Sequence, residues 1–519
     1  MEFILSQAVF LPLLLSPLAY ILGRKLGTNA AMWFTFGLLL YCTIIIIQAT
    51  LGGTYEEHYE WTTLFGEFGF VLDGLAAPFA IIIYVLCTIL AIYSKPYMIH
   101  KFEHLFKEHY QQNSDVSDTQ TTALIESSAL KTYINNQSGL YFAMFLVFAM
   151  GMLGTVLSTN LIEFYIFFEV MLIPAFFLIA WYGDGARRRI ALMFFFWTHV
   201  GAVVLLLGFL AIGLSIGSFD FADIVESEIP EDVIVISAVA IILGLGVKLA
   251  AFIFHVWLPY AHGAAPTPIS ALLSPAMIGI GAYGIFRLII EFLPQTYSDL
   301  SIVLTVWGVA TMFYGGAMAL MQDDLKRLLA YSSISQMGYI LFGLGSLSAY
   351  GLSGAEMMYV SHALGKGLLF MTAGVLIVQV GTRSISKLGG LAGKMPITAV
   401  CAVIGALTIM GVPPTSGFMG EWMLFYGALE TAIEEGNDLR SLMFALGLVA
   451  TVLTMSYMLW MLKRVFFGKL PENLSNVKDG SWYMLAPMMV LAGFTMVVGI
   501  YPDIFLSKIM PYMQGVLGV

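Results

Sequence analysis

Runs of about 20 apolar residues recur along the chain, and they limit its fold more than any other feature. The stretch VIVISAVAIIL (233–243), for example, contains no charged residue and leads into further apolar positions. A run of this length crosses a bilayer as a helix, because in lipid only a helix or a closed barrel satisfies its own backbone hydrogen bonds. The pattern predicts an all-α integral membrane protein with about fourteen spanning helices. The predicted spans are 3–22, 29–51, 70–94, 139–158, 160–182, 188–216, 233–258, 268–292, 299–321, 329–348, 354–379, 396–412 continuing to 433, 441–467 and 482–507.

The composition agrees with this prediction. Of the 519 residues, 59% are hydrophobic and only 11% are charged, which is typical of integral membrane proteins. A soluble chain of this length has too little interior to hide so much apolar surface. One long polar segment, 95–138, is charged and lacks apolar periodicity, so we predict a hydrophilic insert there.

The placement of Lys and Arg predicts how the chain lies in the membrane. With the N-terminus outside, most of the 23 Lys and Arg residues fall in alternate, cytoplasmic loops, which include the 95–138 insert. Acidic runs such as TYEEHYE (54–60) then fall outside. An even number of spans preserves the alternation, so both termini are predicted outside. The first apolar stretch lacks a basic n-region and a cleavage site, so we expect a retained span rather than a signal peptide.

The cysteines and glycines argue against a cofactor in this chain. Cys42, Cys87 and Cys401 lie far apart, each in an apolar stretch, and no CxxC pair or clustered Cys/His set occurs. This pattern disfavours an iron–sulfur centre, a structural zinc or a haem attachment site. No glycine-rich phosphate loop follows a strand pattern. We therefore expect any redox chemistry to take place in a partner chain, and we expect no nucleic-acid partner.

Several ionisable residues lie within the predicted spans. A charged side chain at the bilayer centre costs about 2.5–3.5 kcal/mol on insertion scales, and such residues usually mark an ion or proton path. Lys248 and His255 are seven residues apart in the seventh span, about 10 Å along one face if the helix is unbroken. The candidate site residues are Glu169 in the fifth span, Lys248 and His255 in the seventh, His362 and Lys366 in the eleventh, and Glu421 in the twelfth.

Some of these residues also have a purely structural interpretation. Glu169 and Lys248 could form a static ion pair that holds two helices together. His255 could donate a hydrogen bond to a carbonyl that a break before Pro259 leaves free. Neither alternative accounts for the whole set of titratable groups, so both stay open for the individual residues.

Other polar residues in or near the spans are interpreted structurally. His199, alone on an apolar span, is expected to serve packing, and Glu163 near a membrane edge could be a snorkelling acid. Asp73 is predicted to cap the N-terminus of the third span. Gln336 in the tenth span cannot titrate and at most orients water.

Two segments rich in proline and glycine predict broken helices next to buried charge. LPYAHGAAPTP (258–268) follows Lys248 and His255, and GVPPTSG (411–417) precedes Glu421. Proline removes a backbone donor and frees a carbonyl. Such breaks persist in a membrane only where protein buries them or a wet cavity lines them. We therefore predict breaks in helices 7 and 12, which is a pattern that points to transport sites.

Buried acids, lysines and histidines in one row form a scheme for moving protons. Removal from water disfavours the charged form of each group, so protons can be exchanged near neutral pH. A change of charge on one member alters the affinity of its neighbour for a proton. Water between the side chains could link them if the interior is roomy enough.

Longer motifs at the same places resemble a known family. FHVWLPYAHGAAPTPISALL (254–273), FFEVMLIP (167–174), DDLKRLLAYSSISQMGY (323–339), SHALGKGLLF (361–370) and GVPPTSGFMGEW (411–422) are the motifs concerned. They resemble the antiporter-like subunits of NADH:quinone oxidoreductase (respiratory complex I), of F420H2 dehydrogenases and of Mrp-type cation/proton antiporters. The resemblance covers about residues 65–95 and 139–465. Within the family the chain is most similar to subunit M, also called subunit 4, because Glu421 matches the acid of that subunit's twelfth span.

The resemblance implies an architecture, a function and partners. It implies fourteen helices with two inverted five-helix repeats, and proton translocation coupled to redox chemistry in other membrane-arm and peripheral subunits. Flavin, iron–sulfur clusters and quinone are expected in those partners, and the chain in an energy-transducing or plasma membrane. The implied divisions are helices 1–3 in 1–94, the cytoplasmic insert 95–138, the first repeat (helices 4–8) in 139–292, the second (helices 9–13) in 299–467, and a loop with helix 14 in 468–519.

The chain departs from the family pattern at two positions. The family normally carries a lysine in the eighth span where this chain has Gly279, and a tenth-span histidine where it has Gln336. The resemblance then implies that the central part of a relay uses Lys366, His362 or water. Alternative functions are a subunit of a stand-alone Mrp-type Na⁺/H⁺ antiporter, the membrane arm of a group 4 hydrogenase or carbon-uptake complex, and a structural bundle. Glu421 favours the oxidoreductase, since antiporter chains usually carry lysine there.

Overall fold

The chain folds into a bundle of helices, seen here in a computed structural model that describes residues 3–111 and 119–519. Two π-helical stretches, Leu273–Met277 and Phe286–Glu291, interrupt the eighth predicted span, and short 3₁₀ turns occupy Ile385–Lys387, Leu391–Gly393 and Glu472–Leu474. The α-helices are α1 (Ile4–Leu26), α2 (Thr28–Leu51), α3 (Ala76–Gln111), α4 (Thr119–Leu157), α5 (Leu161–Val170), α6 (Leu172–Tyr182), α7 (Arg187–Ile216), α8 (Phe221–Glu226), α9 (Glu231–Leu249), α10 (Trp257–Ala264), α11 (Thr267–Leu272), α12 (Gly279–Ile285), α13 (Pro294–Leu320), α14 (Leu325–Leu344), α15 (Ala349–Val380), α16 (Pro396–Ile409), α17 (Ser416–Glu435), α18 (Asp438–Val465), α19 (Trp482–Ile500) and α20 (Asp503–Leu517).

The prediction of a purely α-helical chain needs a correction between α2 and α3. Strands β1 (Tyr55–Thr62) and β2 (Gly66–Leu72) pair as an antiparallel hairpin. The segment alternates aromatic with charged residues, and that period of two suits a half-buried strand. Glu57 points inward, where its carboxylate accepts the backbone N–H of Leu5 at 2.7 Å and so caps the start of α1.

Twelve helices among the described residues are long and apolar enough to cross a membrane by length and composition. Two predicted spans, the tenth and the twelfth, are not in that set. The tenth is α14, a 20-residue helix in which serine, glutamine and lysine lower the hydropathy. The twelfth divides into α16, which has only 14 residues, and α17. The count of fourteen spans therefore stays a prediction.

The segment predicted as a hydrophilic insert belongs largely to two long helices. The third span continues as α3 to Gln111, and the fourth begins as α4 at Thr119, so 95–111 and 119–138 are helical. Residues 112–118 of the insert lie outside the described residues. Helices project well beyond the apolar stretch because lysine and glutamate are good helix formers even where periodicity is absent.

The predicted breaks in helices 7 and 12 are present. α9 ends at Leu249, where Ala250 takes the left-handed conformation (φ 56°), and the chain becomes helical again at Trp257. α16 ends at Ile409, Gly411 is left-handed (φ 64°), and α17 starts at Ser416. Both breaks leave backbone groups without helical partners beside an ionisable side chain.

Helix α15 forms the centre of the bundle. It packs against α3, α11, α14, α16, α17, α19 and α20, and every residue from 351 to 376 is buried. A helix that is enclosed on all sides cannot place a polar side chain in lipid. Its polar residues must therefore face other protein groups or internal water.

Candidate functional site

Glu169 lies at a kink in the fifth predicted span. Pro174 cannot donate a hydrogen bond to the carbonyl four residues earlier, and the helix is interrupted between α5 and α6 at Met171. Nδ1 of His199 on α7 lies 2.9 Å from Oε2 of Glu169. The side chain of His199 is 41% exposed and that of Glu169 is 20% exposed. The expectation that His199 serves packing alone is therefore wrong, because it is the hydrogen-bond partner of a candidate site residue.

Lys248 occupies the last turn of α9 and is only 2% exposed. Its Nζ lies 4.4 Å above the ring of Phe168, which is a cation–π contact. Glu169, the next residue, is the charged group that acts on Lys248 through space. Within the described part of the chain, however, no carboxylate lies within 4.0 Å of Nζ. The static ion pair of the structural alternative is thus absent from this conformation.

His255 lies within the break between α9 and α10. The helix is not continuous from Lys248, so the condition for a shared helical face is not met. Its ring centroid is 4.4 Å from that of Tyr314 on α13. Nδ1 is buried and has no hydrogen-bond partner among residues 3–111 and 119–519. The alternative in which His255 satisfies a free carbonyl is therefore not observed.

His362 and Lys366 are fully buried one turn apart on α15. Nζ of Lys366 donates to the carbonyl of Leu329 at 3.0 Å and to the hydroxyl of Ser332, both on α14. Neither ring nitrogen of His362 has a hydrogen-bond partner in the described regions. Lys366 is thus surrounded by neutral acceptors only, although an isolated charge at this depth is costly.

Glu421 lies in the second turn of α17, beside the second break. Its carboxylate packs against Gly411, where a Cβ would lie 1.8 Å from Oε2. It lines a pocket of about 500 Å³ together with Pro413 and Trp422. Gln336 is buried on α14, and its Nε2 lies 3.4 Å from the carbonyl of Ile409. Gln336 therefore contacts the last turn of the helix that precedes Glu421.

The six predicted site residues fall into separate groups. Glu169 and Lys248 come together around Phe168, and His362 and Lys366 share α15. His255 and Glu421 make no direct hydrogen bond or ion pair to the other four in the regions that the structure describes. Any transfer between the groups requires intervening water or further side chains.

Two buried groups extend the set, and the sequence interpretation did not include them. His262 on α10 is fully buried, has no partner for either ring nitrogen among the described residues, and stacks on Phe370 at 5.0 Å. Lys326, assigned to a loop from sequence, is fully buried at the start of α14 and donates to the carbonyl of Ala265. The charges of Lys326 and Lys366 both act on His262. The position of His262 within the motif FHVWLPYAHGAAPTPISALL (254–273) was the sequence signal from which it could have been identified.

Asp184, in the loop after α6, interacts with several cationic side chains at one end of the bundle. Its carboxylate binds Nζ of Lys101 and lies 3.7 Å from the guanidinium of Arg383. Burial acts to raise the pKa of Asp184, but the charges of Lys326, Lys101 and Arg383 outweigh it, and the pKa lies below its ordinary value. We call this end of the bundle the Asp184 face.

Asp73 lies at the opposite end. Lys101 is 25 residues beyond the first residue of α3, which corresponds to about 38 Å along a helix. Oδ1 of Asp73 accepts the N–H of Ala76 at 2.8 Å, so the predicted cap is confirmed, and Oδ2 binds the Arg287 guanidinium at 2.7 Å. We call this end the Asp73 face.

Glu163 does not snorkel to the membrane edge. It is fully buried, and Oε2 accepts the backbone N–H groups of Gly69 at 3.3 Å and Thr159 at 3.2 Å. The carboxylate therefore joins β2 to the chain just before α5. That interpretation failed because the hairpin that covers Glu163 was not foreseen.

Comparison with known proteins agrees with this arrangement. The family described as "NADH:quinone oxidoreductase/Mrp antiporter, TM" matches residues 158–434, which include all six predicted site residues. The chain is 31% identical over 519 residues to NADH-quinone oxidoreductase subunit M of Rickettsia prowazekii, covering 97% of this chain and 96% of that protein.

The chain belongs to this family. It is an antiporter-like membrane subunit of the complex I type, and a multi-pass membrane protein.

Further relatives come from both branches of the family. F420H2 dehydrogenase subunit M of Methanosarcina mazei is 29% identical over 93% of this chain and 91% of its own length. A Na⁺/H⁺ antiporter subunit of Alkalihalophilus pseudofirmus is 32% identical over 98% of this chain and 62% of its own length.

Solved structures match the fold over the whole chain. A chain of respiratory complex I from Thermus thermophilus with bound NADH superposes with a TM-score of 0.80 at 23% identity, covering 99% of both chains. A chain of the Mrp complex from Dietzia sp. superposes with a TM-score of 0.79 at 20% identity, covering 100% of both. The described residues contain no group of three or more His, Cys, Asp or Glu side chains placed to hold a metal ion.

Proposed function

We propose that this chain moves protons across the membrane through Glu169, Lys248, His255, His362, Lys366 and Glu421. One observation carries the proposal: Lys248 and Lys366 are buried inside the bundle and Glu421 is partly buried beside the second break, and none of the three has an opposite charge within 4.0 Å among the described residues. Charged groups that serve structure in a membrane are paired. An unpaired ionisable group in a membrane protein lowers its stability, and a role in transport explains why such a group is present.

The neutral partners of Lys366 favour proton exchange over a fixed charge. Its ammonium form would donate to a carbonyl and a hydroxyl without a counter-ion, whereas the neutral amine is tolerated in that position. With no carboxylate beside it to hold the proton, Lys366 can release a proton as well as take one up. The cation–π contact of Lys248 with Phe168 likewise provides modest support for the charged form without fixing it.

The proton path is proposed to run in two halves. Glu169 lies at the kink between α5 and α6, Lys248 lies at the first helix break and Glu421 at the second, with His362 and Lys366 on the enclosed α15. Two breaks at corresponding positions support the proposal of two inverted five-helix repeats, helices 4–8 and 9–13, within fourteen helices. We also propose that both termini lie on the outer side, which the distribution of Lys and Arg predicts.

The Glu169–His199 pair supports a place in a larger assembly. His199 lies twelve residues into α7, mid-way through a spanning helix, and yet 41% of its side chain is exposed. A polar pair at that depth is costly against lipid. We propose that another membrane-arm subunit covers it, and that quinone, flavin and iron–sulfur chemistry takes place in partner subunits without a redox site in this chain.

Cation–proton exchange is the second candidate function. The 32% identity to an antiporter protein over nearly the whole chain favours it. Glu421 favours the oxidoreductase, as argued from the sequence. Neighbouring genes for quinone-reductase subunits would support the first function, and small antiporter subunits alone would support the second.

Replacement of Lys248 or Glu169 by alanine tests the proposal. In the assembled complex, reconstituted in vesicles, each variant is expected to lower the number of protons moved per electron transferred. Lys25→Ala and Glu434→Ala, both at exposed positions, are the matched controls. Full pumping by Lys248→Ala and Glu169→Ala would contradict the proton relay.

A further inference from the structure

Helix α15 carries a polar strip that extends beyond the two predicted site residues. Glu356, Tyr359, His362 and Lys366 are spaced by three, three and four residues, so they follow one another along one side of the helix. The strip rises by about 15 Å, and all four side chains are fully buried. The proposed relay uses His362 and Lys366 but leaves Glu356 and Tyr359 unexplained.

Glu356 and Tyr359 are buried polar groups without partners. Both carboxylate oxygens of Glu356 and the hydroxyl of Tyr359 lack a hydrogen bond to any described residue. A buried polar group that makes no hydrogen bond costs about 1–3 kcal/mol. Two such groups in succession, next to a histidine with two free ring nitrogens, mark a place where water or a proton is accommodated.

Tyr359 fills the space beside Gly279 on the eighth predicted span. A Cβ at Gly279 on α12 would lie 2.1 Å from Cε2 of Tyr359, so no larger residue fits at 279 while the ring is there. The ring also stacks on Phe79 with centroids 4.0 Å apart. The ring of Tyr359 therefore fills this point of the bundle and brings a phenol hydroxyl into it.

The Glu356 end of the strip approaches a cluster of charges at the Asp73 face. Arg287 binds Asp73 at 2.7 Å and Glu291 at 2.8 Å, and it also donates to the hydroxyl of Tyr512. We call these four residues the Arg287 cluster. Asp73 and Arg287 are the charged groups that act on Glu356.

The Arg287 cluster opens onto an acidic pocket. The pocket has a volume of about 340 Å³ and is lined by Asp73, Arg287 and Glu291 together with further acids from the hairpin and from the segment around α8. It is large enough for several water molecules. The strip on α15 thus runs from the fully buried Lys366 toward the end of the bundle that holds this pocket.

We propose that Glu356 is a proton-carrying residue that links His362 and Lys366 to the acidic pocket at the Asp73 face by way of Tyr359 and water. The inference rests on the proposed proton translocation and adds a further step in series with it. As His362 gives up a proton, one carboxylate oxygen of Glu356 binds a proton, and Glu356 returns to the carboxylate form when it releases that proton to pocket water. The Tyr359 hydroxyl both donates and accepts a hydrogen bond, so it can pass a proton without a net change. Neighbours on a helix face have Cβ atoms about 5–6 Å apart, so water must bridge each interval.

The test compares Glu356→Gln with Lys366→Met in the assembled complex reconstituted in vesicles, with protons counted per electron transferred. Glutamine keeps the shape of the side chain but cannot carry a proton. Because the two residues act in series, each variant is expected to lower the ratio by the same amount, and the double variant no further. Glu356→Asp is expected to restore pumping, and the exposed Glu434→Gln is the matched control.

The outcomes separate this inference from the proposed function. Wild-type pumping by Glu356→Gln with impaired Lys366→Met overturns the role of Glu356 and leaves the relay intact. Wild-type pumping by both overturns the relay itself. Turnover-dependent infrared absorption of protonated carboxylic acids should lose the component due to Glu356 in Glu356→Gln, and a spectrum identical to that of the wild type contradicts the inference. If Glu356→Gln fails to assemble, Tyr359→Phe, which keeps the stack on Phe79, should lower the ratio, and full pumping by that variant contradicts the route through Tyr359.

Discussion

Glu169 accepts a hydrogen bond from His199, with 2.9 Å between Oε2 and Nδ1, and the lysine of the seventh span stays outside this pair. The carboxylate is thus bonded to His199, while Lys248 is held above the neighbouring ring of Phe168. We expect Lys248 to be its alternative partner during turnover. Exchange between them would change the proton affinity of Glu169 as charge moves.

His199→Phe is expected to lower proton pumping toward the level of Glu169→Ala. Phenylalanine keeps the stacking with Phe195, whose ring centroid is 5.5 Å from that of His199, but it cannot donate to the carboxylate. His199→Gln retains a donor and is expected to keep most of the activity. The measurement is the number of protons per electron in reconstituted vesicles. Equal pumping by the phenylalanine variant and the wild type would show that the pair is dispensable.

Gly279→Ala is expected to destabilise the protein by about 1–3 kcal/mol, which is the usual cost of overpacking. The new methyl group would lie 2.1 Å from the ring of Tyr359. The same substitution at Gly493 on α19 has open space around it, and it should be neutral or slightly stabilising because alanine favours helices. Thermal unfolding of the purified complex measures the change in stability for both variants. Equal melting temperatures for the two variants would mean that the Tyr359 ring moves aside freely.

Ala250→Gly is expected to stabilise the protein by about 1 kcal/mol. Ala250 has φ 56° at the end of α9, a conformation that costs residues with a Cβ about 1–2 kcal/mol and that glycine adopts freely. Ala238→Gly, in the interior of the same helix, should have the opposite sign by about 1 kcal/mol. A lower melting temperature for both variants would contradict the assigned strain.

Acid is expected to weaken the Asp184 face. The pKa of Asp184 lies below its ordinary value because the charges of Lys326, Lys101 and Arg383 outweigh the effect of burial. A group with a depressed pKa stabilises the folded state above its unfolded pKa, and this contribution is lost as the pH falls through the folded pKa. Melting temperatures between pH 7 and pH 3 should fall less steeply in Asp184→Asn than in the wild type. Parallel curves would show that the carboxylate contributes nothing to the pH dependence.

Much of the fold and part of the site could be predicted from the sequence. Apolar runs determine where spanning helices lie, and proline with glycine marks the breaks after Lys248 and before Glu421. Those are local properties of the chain. The hairpin at 55–72 was not predicted, because polar and apolar residues alternate along its first strand and form no long apolar run.

Other features depend on which helices meet. The pairing of His199 with Glu169 joins α7 to α5, and the entry of Tyr359 into the space at Gly279 joins α15 to α12. No local pattern contains such contacts. The burial of Glu356 and Lys326 depends on such contacts too. Lys326 lies in a segment that the sequence indicates as a loop, and only the fold shows that both side chains are fully buried.

The most direct test of the account is Lys248→Arg in the assembled complex. Arginine keeps a positive charge over Phe168, but it cannot release its proton in a protein. If Lys248 is a proton carrier, the variant should move as few protons per electron as Lys248→Ala. If Lys248 is only a fixed structural charge, Lys248→Arg should pump like the wild type, and that result would contradict the relay.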